Sequence, residues 1–309
     1  MTLVSIITPS YNQAPFLRQT MLSVLEQDYP DLEYLVVDGE STDGSQAIIR
    51  EYADRLAWWA AEKDAGQADA INKGFAHAGG EIIGWLNSDD FYLPGAVSAG
   101  VRALEAHPDA VMVYGNMQAV DDDGRLTNLL TYGPIQLEDL LCFSIIGQPA
   151  SFMRASAFRA AGGVDATFHA LLDHQLWIKL ALQGRLVHVD DTWAGARYHP
   201  AAKNRARASE FGREAFRIVE WAEKYPPLEA AYKRLGRRPV AAAYRVDARY
   251  LTDGGQPRLA LRSWWKALVI HPPTALRRMN ILASAVLGAL GLGRVREAIL
   301  QRRQKRLSA

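Results

Sequence analysis

The chain has 309 residues, of which 49% are apolar and 22% charged, and this balance indicates a folded core rather than disorder. The formal net charge of +1 argues against a general nucleic-acid binder, and the single cysteine, Cys142, rules out an intramolecular disulfide and a cysteine-based zinc site. The N-terminus lacks the basic and apolar regions of a signal peptide, so we expect a cytoplasmic protein.

The N-terminal part of the sequence alternates strand-like and helix-like patterns. Apolar, β-branched runs bounded by Pro, Ser, Asp and Gly indicate strands, and apolar residues at helical spacing indicate the helices between them. The predicted order is strand 3–10, helix 14–27, strand 32–39, helix 45–53, strand 56–62, helix 67–78 and strand 81–88. This alternation predicts an α/β fold with a mostly parallel central sheet, which binds ligands at the carboxyl ends of its strands.

Polar and acidic side chains follow each of these four predicted strands. Tyr11 follows the first, Asp38 the second, Asp64 the third, and the pair Asp89 and Asp90 the fourth. Neighbouring carboxylates repel, so one of the pair should have a raised pKa unless a cation compensates. A simple turn also uses Asn, Ser and Asp, but acids at three successive strand ends favour a ligand site at one edge of the sheet.

The strand and helix pattern continues to about residue 200 and contains further candidates. A strand is predicted over 144–154 with Gln148 on it, and Asp173 precedes a helical stripe, where an N-cap carboxylate would also sit. His199 and Lys203 lie in a basic loop. Solvation alone accounts for such a loop, whereas beside an acidic pocket a histidine followed by cations suggests a metal ligand and a phosphate clamp.

From about residue 226 the sequence becomes helical and basic. Residues 238–273 predict a helical hairpin with a Gly-Gly turn, and residues 258–309 carry eleven Lys or Arg against one acid. No apolar stretch reaches the roughly 20 residues that a spanning helix needs. We therefore predict one domain at 1–225 and a helical extension at 226–309, which either lies on an anionic membrane surface or packs on its own domain.

Three stretches carry a family resemblance: SIITPSYN near the start, EKDAGQADAINKG, and WLNSDD. In order and spacing they resemble the family 2 glycosyltransferases of the GT-A fold, especially bacterial enzymes that build exopolysaccharide and lipopolysaccharide. The likeness covers residues 3 to about 200. It implies a Rossmann-like sheet with flanking helices, and inverting transfer of a sugar from a nucleotide diphosphate donor to a hydroxyl of a saccharide or lipid-linked saccharide.

The resemblance also assigns roles to residues by their position in the family's motifs. Mg²⁺ or Mn²⁺ would bind Asp89, with Asp90 beside it and His199 completing the site. Asp173 would be the general base, and Gln148 would face the acceptor. The donor site would comprise Thr8, Pro9, Tyr11, Asp38, Asp64, Asp69, Asn72, Lys73, Asn87, Ser88 and Lys203. Asp38 can accept a hydrogen bond from a pyrimidine imide, which modestly favours a UDP-type donor.

Two departures from the family pattern leave an alternative open. The family's Asp-x-Asp motif reads Asn87, Ser88, Asp89 here, and the glutamate that precedes the catalytic aspartate is replaced by Leu172. A catalytically degenerate protein that binds nucleotide sugar or acts as a scaffold is therefore the alternative. A nucleotidyltransferase on a related sheet would need a glycine-rich basic loop near the start of the chain, and the sequence has none there.

Overall fold

A computed structural model of the protein describes residues 1–199 and 207–292. The chain divides into two compact units: Met1–Gln136 with Ile146–Arg197, and Leu137–Ile145 with Tyr198–Ala309. This division differs from the predicted boundary after residue 225, because the last strand ends at Arg197 and the helix Ala208–Lys224 packs with the helices that follow it.

The first unit is built on a nine-stranded sheet formed by the described residues. The strands are β1 Val4–Ser10, β2 Leu32–Asp38, β3 Trp58–Ala61, β4 Ile82–Trp85, β5 Phe91–Tyr92, β6 Ala110–Val120, β7 Leu126–Leu130, β8 Ser151–Arg154 and β9 Arg185–Arg197. Their order across the sheet is β3-β2-β1-β4-β8-β6-β9-β5, with β7 beside β6.

Strands β3, β2, β1 and β4 are parallel neighbours, so their carboxyl ends lie along one edge of the sheet. Ser10 lies opposite Asp38, and Asp38 lies opposite Ala61. The other half of the sheet is mixed, because β8 runs antiparallel to both β4 and β6 while β6 and β9 are parallel. Every residue of β1 is buried, as expected for a strand covered on both faces. The predicted α/β class is confirmed.

Helices flank this sheet. Those of the first unit are α1 Ala14–Leu25, α2 Ser45–Glu51, α3 Gln67–His77, α4 Ala96–Ala106, α6 Ala155–Ala160 and α7 Leu172–Ala181. One predicted element is wrong in part: the strand expected over 144–154 begins only at Ser151, and Gln148–Ala150 form a single 3₁₀ turn. Pro149 lies in that turn and has no N–H to contribute to a strand ladder.

The second unit is helical. Its helices are α5 Leu137–Leu141, α8 Ala208–Lys224, α9 Glu229–Leu235, α10 Arg238–Asp253, α11 Pro257–Ile270, α12 Pro272–Leu276 and α13 Met279–Ala289. The predicted hairpin is confirmed as α10 and α11, which contact each other across a turn in which Gly255 has a φ of +72°. Ala248 on α10, Trp264 on α11 and Ile281 on α13 belong to one buried core of this unit. Among the described residues, no helix combines the length and apolarity required to cross a membrane.

Candidate active site

Asp38 ends strand β2 and organises the loop that follows it. Its side chain is fully buried, and its Oδ2 accepts hydrogen bonds from the hydroxyls of Ser10 at 3.0 Å and Ser41 at 2.7 Å. Its Oδ1 accepts a third hydrogen bond, from the backbone N–H of Ser41, at 2.7 Å. The carboxylate therefore joins the carboxyl ends of β1 and β2.

The predicted contacts around the end of β1 separate into buried and exposed groups. Thr8 and Pro9 are buried, and the hydroxyl of Tyr34 donates to Thr8 Oγ1 at 2.9 Å, so the Thr8 side chain is used inside the fold. Tyr11, in contrast, is 64% exposed. An exposed aromatic ring at the end of a parallel strand is suited to stacking against a nucleotide base.

The segment after β3 folds over the end of β2. Asp64 lies so close to Gly39 that a Cβ at that glycine would be 2.7 Å from Asp64 Oδ2. The backbone N–H of Gly66 donates to Asp64 Oδ1 at 2.8 Å, and that of Ala65 donates to Asp69 Oδ2 at 3.0 Å. Asp64 is thus brought beside the residue that follows Asp38, whereas Asp69 also holds the start of helix α3.

Two further predicted donor residues on α3 have partners within the fold. The Nζ of Lys73 lies 3.0 Å from Glu62 Oε1 and 3.4 Å from Asp69 Oδ2, and these carboxylates raise the lysine's pKa. The Asn72 amide makes two hydrogen bonds to the backbone of Val164, donating from Nδ2 at 2.8 Å and accepting at Oδ1 at 3.0 Å. The Asn72 side chain therefore anchors the loop that leads towards α7.

Asn87 is the centre of a hydrogen-bond network after β4. Its Nδ2 donates to Asp90 Oδ2 at 3.2 Å and to Gln148 Oε1 at 3.1 Å, while its Oδ1 accepts from Gln67 Nε2 at 2.7 Å. Gln148 in turn donates to the backbone carbonyl of Trp85 at 2.7 Å. The network ties the start of α3, the end of β4 and the 3₁₀ turn into one rigid arrangement.

The two adjacent carboxylates have different environments. Asp90 is only 7% exposed, and its Oδ1 accepts a hydrogen bond from the backbone N–H of Arg197 at 3.0 Å. Burial and the neighbouring charge of Asp89 raise the pKa of Asp90 well above its ordinary value, as the sequence predicts for one member of such a pair. Asp89 is half-buried, and the carbonyl of buried Ser88 accepts a hydrogen bond from the Thr20 hydroxyl at 3.0 Å. This arrangement favours Asp89 over Asp90 as a metal ligand.

The predicted metal ligands among the described residues do not form a complete set of protein ligands around a metal ion. Within residues 1–199 and 207–292, no group of three or more His, Cys, Asp or Glu side chains could hold a metal ion. His199 is buried, at 4% exposed, and Lys203 lies outside the described residues. A single half-buried carboxylate, Asp89, fits a hard divalent ion that takes its other ligands from a diphosphate and water, as Mg²⁺ commonly does.

Asp173 lies in the first turn of α7 and does not cap it, because the helix begins at Leu172 with Leu171 at the cap position. The backbone N–H of His174 donates to its Oδ1 at 2.8 Å. Four residues further along, the ring of Trp177 stacks on that of Trp85 at 5.8 Å, with 17° between the planes. Residues four apart share a helix face, so Asp173 lies on the face of α7 that meets the end of β4.

Two residues of this region were not singled out by the sequence. Gln67 bonds Asn87, and Arg197 bonds the acidic turn, although each comes from a distant part of the chain. Gln67 lies inside the DAGQADAINKG stretch, so its proximity to other motif residues was an available signal. Arg197 precedes Tyr198 and His199 in sequence, but no local pattern indicates that its side chain reaches the acidic turn after β4.

In sequence, the chain is similar to curated proteins that are glycosyltransferases. The chain is 30% identical over 210 residues to an uncharacterized glycosyltransferase of Mycobacterium tuberculosis, an alignment that covers 64% of this chain and 79% of the relative. It is 28% identical over 190 residues to the chondroitin synthase of Escherichia coli, covering 61% of this chain and 28% of that protein.

Solved structures and a family model complete the comparison. Residues 1–349 of Staphylococcus aureus TarS, in complex with UDP-GlcNAc, align with a TM-score of 0.64 and 16% identity, covering 96% of this chain and 92% of that one. The mannosyltransferase PcManGT of Pyrobaculum calidifontis, with GDP-Man and Mn²⁺, aligns with a TM-score of 0.61 and 18% identity, covering 94% and 87%. These likenesses establish the shared fold. The model of "Glycosyl transferase family 2" matches residues 5–160, half of the chain, and the protein therefore belongs to glycosyltransferase family 2.

Proposed function

We propose that this glycosyltransferase moves a sugar, with inversion, from a nucleotide diphosphate sugar to a hydroxyl of a saccharide or lipid-linked saccharide during cell-envelope or exopolysaccharide assembly. The observation that carries the proposal is the position of Asp173, one helical turn before the tryptophan that stacks on Trp85. Trp85 immediately precedes the segment that contains Asp89. Helix α7 thereby brings a carboxylate towards the strand end that we assign to the donor.

The donor would bind along the carboxyl ends of β1 to β4. Tyr11 offers an exposed ring to the base, Asp38 holds the loop that would receive the base and ribose, and Asp64 lies against Gly39 beside it. The related folds contain UDP-GlcNAc in one case and GDP-Man with Mn²⁺ in the other, and these ligands support a nucleotide-sugar donor and a divalent ion here. The ion, Mn²⁺ or Mg²⁺, would neutralise charge on the departing diphosphate.

Asp173 would act as the general base. As the bond between the sugar carbon and the diphosphate oxygen breaks, the acceptor oxygen bonds to that carbon from the opposite side and its proton passes to the carboxylate. Inversion requires the base and the leaving group on opposite faces of the sugar. Gln148 donates to the Trp85 carbonyl and accepts from Asn87, so we assign its role on the acceptor side to holding the wall between these two faces.

The second unit offers a way for the enzyme to reach its acceptor. We propose that the basic helical segment brings the enzyme to the inner face of the cytoplasmic membrane, where a lipid-linked acceptor would lie. Helix α11 supports this, because Trp265 and Val269 on it are 61% and 64% exposed, and Arg262 and Lys266 are exposed beside them. Exposed aromatic, aliphatic and cationic side chains on one helix are typical of helices that bind membrane surfaces.

An Asp173→Asn variant tests the proposed role. We expect turnover to fall by about 10²- to 10⁴-fold, the usual contribution of a general base, while donor binding is retained. Binding is measured as the thermal shift produced by a panel of UDP, GDP and dTDP sugars with and without Mn²⁺, since a ligand that binds only the folded state stabilises it. Product NMR then reports the anomeric configuration. Asp54→Asn, at an exposed carboxylate in the first unit, is the matched control.

The outcomes separate the two functions that the sequence left open. Unchanged turnover in Asp173→Asn would exclude this residue as the base, and a product that retains the donor's anomeric configuration would contradict inversion. Stabilisation of the wild type by a nucleotide sugar, without transfer to any saccharide or lipid-linked saccharide acceptor, would support the degenerate binding protein instead. The replacement of the family's acidic residues at Asn87 and Leu172 is the feature that favours that second function.

A further inference from the structure

Arg197 is a buried arginine at the end of β9 whose side chain binds three separate segments of the first unit. The residue is only 5% exposed. Its Nε donates to the backbone carbonyl of Asp89 at 3.1 Å, and its Nη2 donates to Gln19 Oε1 at 2.6 Å. Its Nη1 donates to the carbonyls of Asp122 at 2.8 Å and Asp121 at 3.2 Å. The guanidinium thus joins helix α1, the acidic turn after β4 and the turn after β6.

The backbone of the same residue adds a further contact to the acidic turn. The N–H of Arg197 donates to Asp90 Oδ1 at 3.0 Å, so the side chain and the main chain of one residue hold two successive residues of the turn. The guanidinium carbon also lies 4.6 Å from the ring centroid of Phe16 and 5.9 Å from that of Phe91. These rings cover the cation and favour its position by cation–π attraction.

The geometry of these contacts requires an arginine. A guanidinium carries five N–H donors in a planar fork, and four hydrogen bonds here leave from all three of its nitrogens towards acceptors on different segments. A lysine has one nitrogen on a flexible stem and cannot span the same acceptors. Three of the four acceptors are backbone carbonyls. These hydrogen bonds therefore hold the path of the main chain and do not pair the guanidinium with an acidic side chain.

We propose that Arg197 is a positioning residue for the acidic turn, fixing the backbone from which the Asp89 carboxylate reaches the divalent ion carried with the donor's diphosphate. This inference rests on the proposed function, because it takes Asp89 to be the metal ligand. Groups that orient a metal ligand without touching the metal typically change metal affinity by about 10- to 100-fold when they are removed. Arg197 supplies that support by donating to the backbone carbonyl of Asp89 and to the side-chain carboxylate of Asp90.

Arg154 provides a matched control from the same unit. It is half-buried at the end of β8, and it also donates to backbone carbonyls, from Nε to Ala110 at 2.8 Å and from Nη2 to Leu104 at 2.9 Å. It lies opposite Ile82, at the start of β4, whereas the acidic turn follows the end of that strand. Replacing either arginine by lysine therefore disturbs similar packing chemistry at opposite ends of the same strand.

The test compares wild type, Arg197→Lys and Arg154→Lys by thermal shift, with Mn²⁺ titrated at a fixed concentration of UDP and, separately, of GDP. We expect both variants to melt below wild type, because each loses carbonyl contacts. Only Arg197→Lys should need more Mn²⁺ for half-maximal stabilisation, by about tenfold or more. Its kcat should recover at saturating Mn²⁺, which a general loss of folding would not allow.

The outcomes distinguish the inference from the function beneath it. Equal Mn²⁺ requirements in Arg197→Lys and Arg154→Lys would overturn the positioning role and leave the metal site standing. A wild type that does not respond to Mn²⁺ with either nucleotide would overturn the metal site and the inference together. If Arg197→Lys does not fold, Gln19→Ala removes only the acceptor of Nη2 from an exposed position. This variant should shift the Mn²⁺ requirement in the same direction by a smaller factor, and an unchanged requirement would overturn the proposal.

Discussion

At the scale of single residues, Asn87 shows why an amide can occupy the first position of the family's Asp-x-Asp motif. Its Nδ2 donates to Asp90 and to Gln148, and its Oδ1 accepts from Gln67. A carboxylate at this position could accept from Gln67 but could donate to neither of the other two partners. The amide therefore holds the buried Asp90 in place, while the half-buried Asp89 keeps a carboxylate at the last position of the motif.

Restoring the family motif by Asn87→Asp should consequently lower the stability of the folded protein. The substitution removes two donors and places a third carboxylate against Asp90, whose pKa burial already raises. Leaving a buried acceptor without its donor typically costs about 1–3 kcal/mol, so we expect a clearly lower free energy of unfolding in urea. Asn128→Asp, at a half-buried asparagine on β7, is the control. An Asn87→Asp protein as stable as wild type would contradict this account of the network.

The sequence could predict which residue types gather at the site but not how their atoms are shared. Acids after successive strands were sufficient to predict the edge of the sheet on which Asp38, Asp64 and Asp89 lie. The family motif singles out Asp89 as the metal ligand, but the burial of Asp90 and its hydrogen bond from the backbone N–H of Arg197 could not be predicted from the residue types. Long-range partners of this kind have no local pattern.

At the scale of elements, a half-buried carboxylate lies where three helices of the second unit meet. Asp247 on α10 accepts a hydrogen bond from the Ser263 hydroxyl on α11 at 2.5 Å. On α8, Gly212 leaves room for the same carboxylate, since a Cβ at that glycine would overlap Asp247 Oδ1. Burial raises the pKa of Asp247, and the hydrogen bond from Ser263 and the charge of Lys266 only partly oppose this effect.

The stability of the helical unit should therefore depend on pH through Asp247. Because its pKa is raised in the folded state, folded protein binds a proton more tightly than unfolded protein does. The resulting stability is present below the ordinary carboxyl pKa of about 3.9 and is lost as pH rises through the raised value. Asp247→Asn carries no titratable charge. Its melting temperature relative to wild type should increase from pH 4 to pH 7, as measured by circular dichroism.

Asp253→Asn, at an exposed carboxylate on the same helix, controls for general charge effects. If the difference in melting temperature between Asp247→Asn and wild type stayed constant over this pH range, Asp247 would not be the titrating group. A difference that decreased with rising pH would reverse the sign that burial requires.

Element prediction succeeded where one periodicity extended over the whole element. The strands β1 and β2 and the hairpin of α10 and α11 follow their sequence patterns closely. It failed around Gln148, because the apolar run before Pro149 has the composition of a strand, but the proline cannot complete a ladder. The sequence also left open a cap role for Asp173, whereas the cap residue of α7 is Leu171, a difference that depends on backbone angles rather than on residue type.

At the scale of the whole molecule, charge is distributed unevenly along the chain. Residues 254–292 contain five Lys or Arg and no Asp or Glu. On α11, the exposed face carries Arg258, Arg262 and Lys266 together with Trp265 and Val269, while Ala260, Trp264 and Ala267 face the core. The sequence predicted the basic composition of this segment, but identifying which side of α11 is exposed required the packing of the second unit.

The proposed membrane binding through this exposed face of α11 can be tested without measuring catalysis. Each cation near an anionic surface contributes about 1 kcal/mol, or about fivefold in partitioning, so Arg258→Ala with Arg262→Ala should weaken binding to phosphatidylglycerol vesicles by more than tenfold. Trp265→Ala should weaken it further by removing an interfacial anchor. Sedimentation with vesicles measures both effects, which should decrease at high salt because the charges are exposed.

Matched variants on α8 show whether the α11 face itself is responsible. Arg213 and Arg217 are exposed on α8, a helix that also carries glutamates, and Trp221 on that helix is half-buried. Replacing these residues by alanine removes the same residue types from a face of mixed charge, so vesicle binding should change little. Equal losses from the α8 and α11 variants would show that net charge alone drives association. Retention of wild type on neutral phosphatidylcholine vesicles as strong as on anionic ones would contradict an electrostatic contribution to the contact.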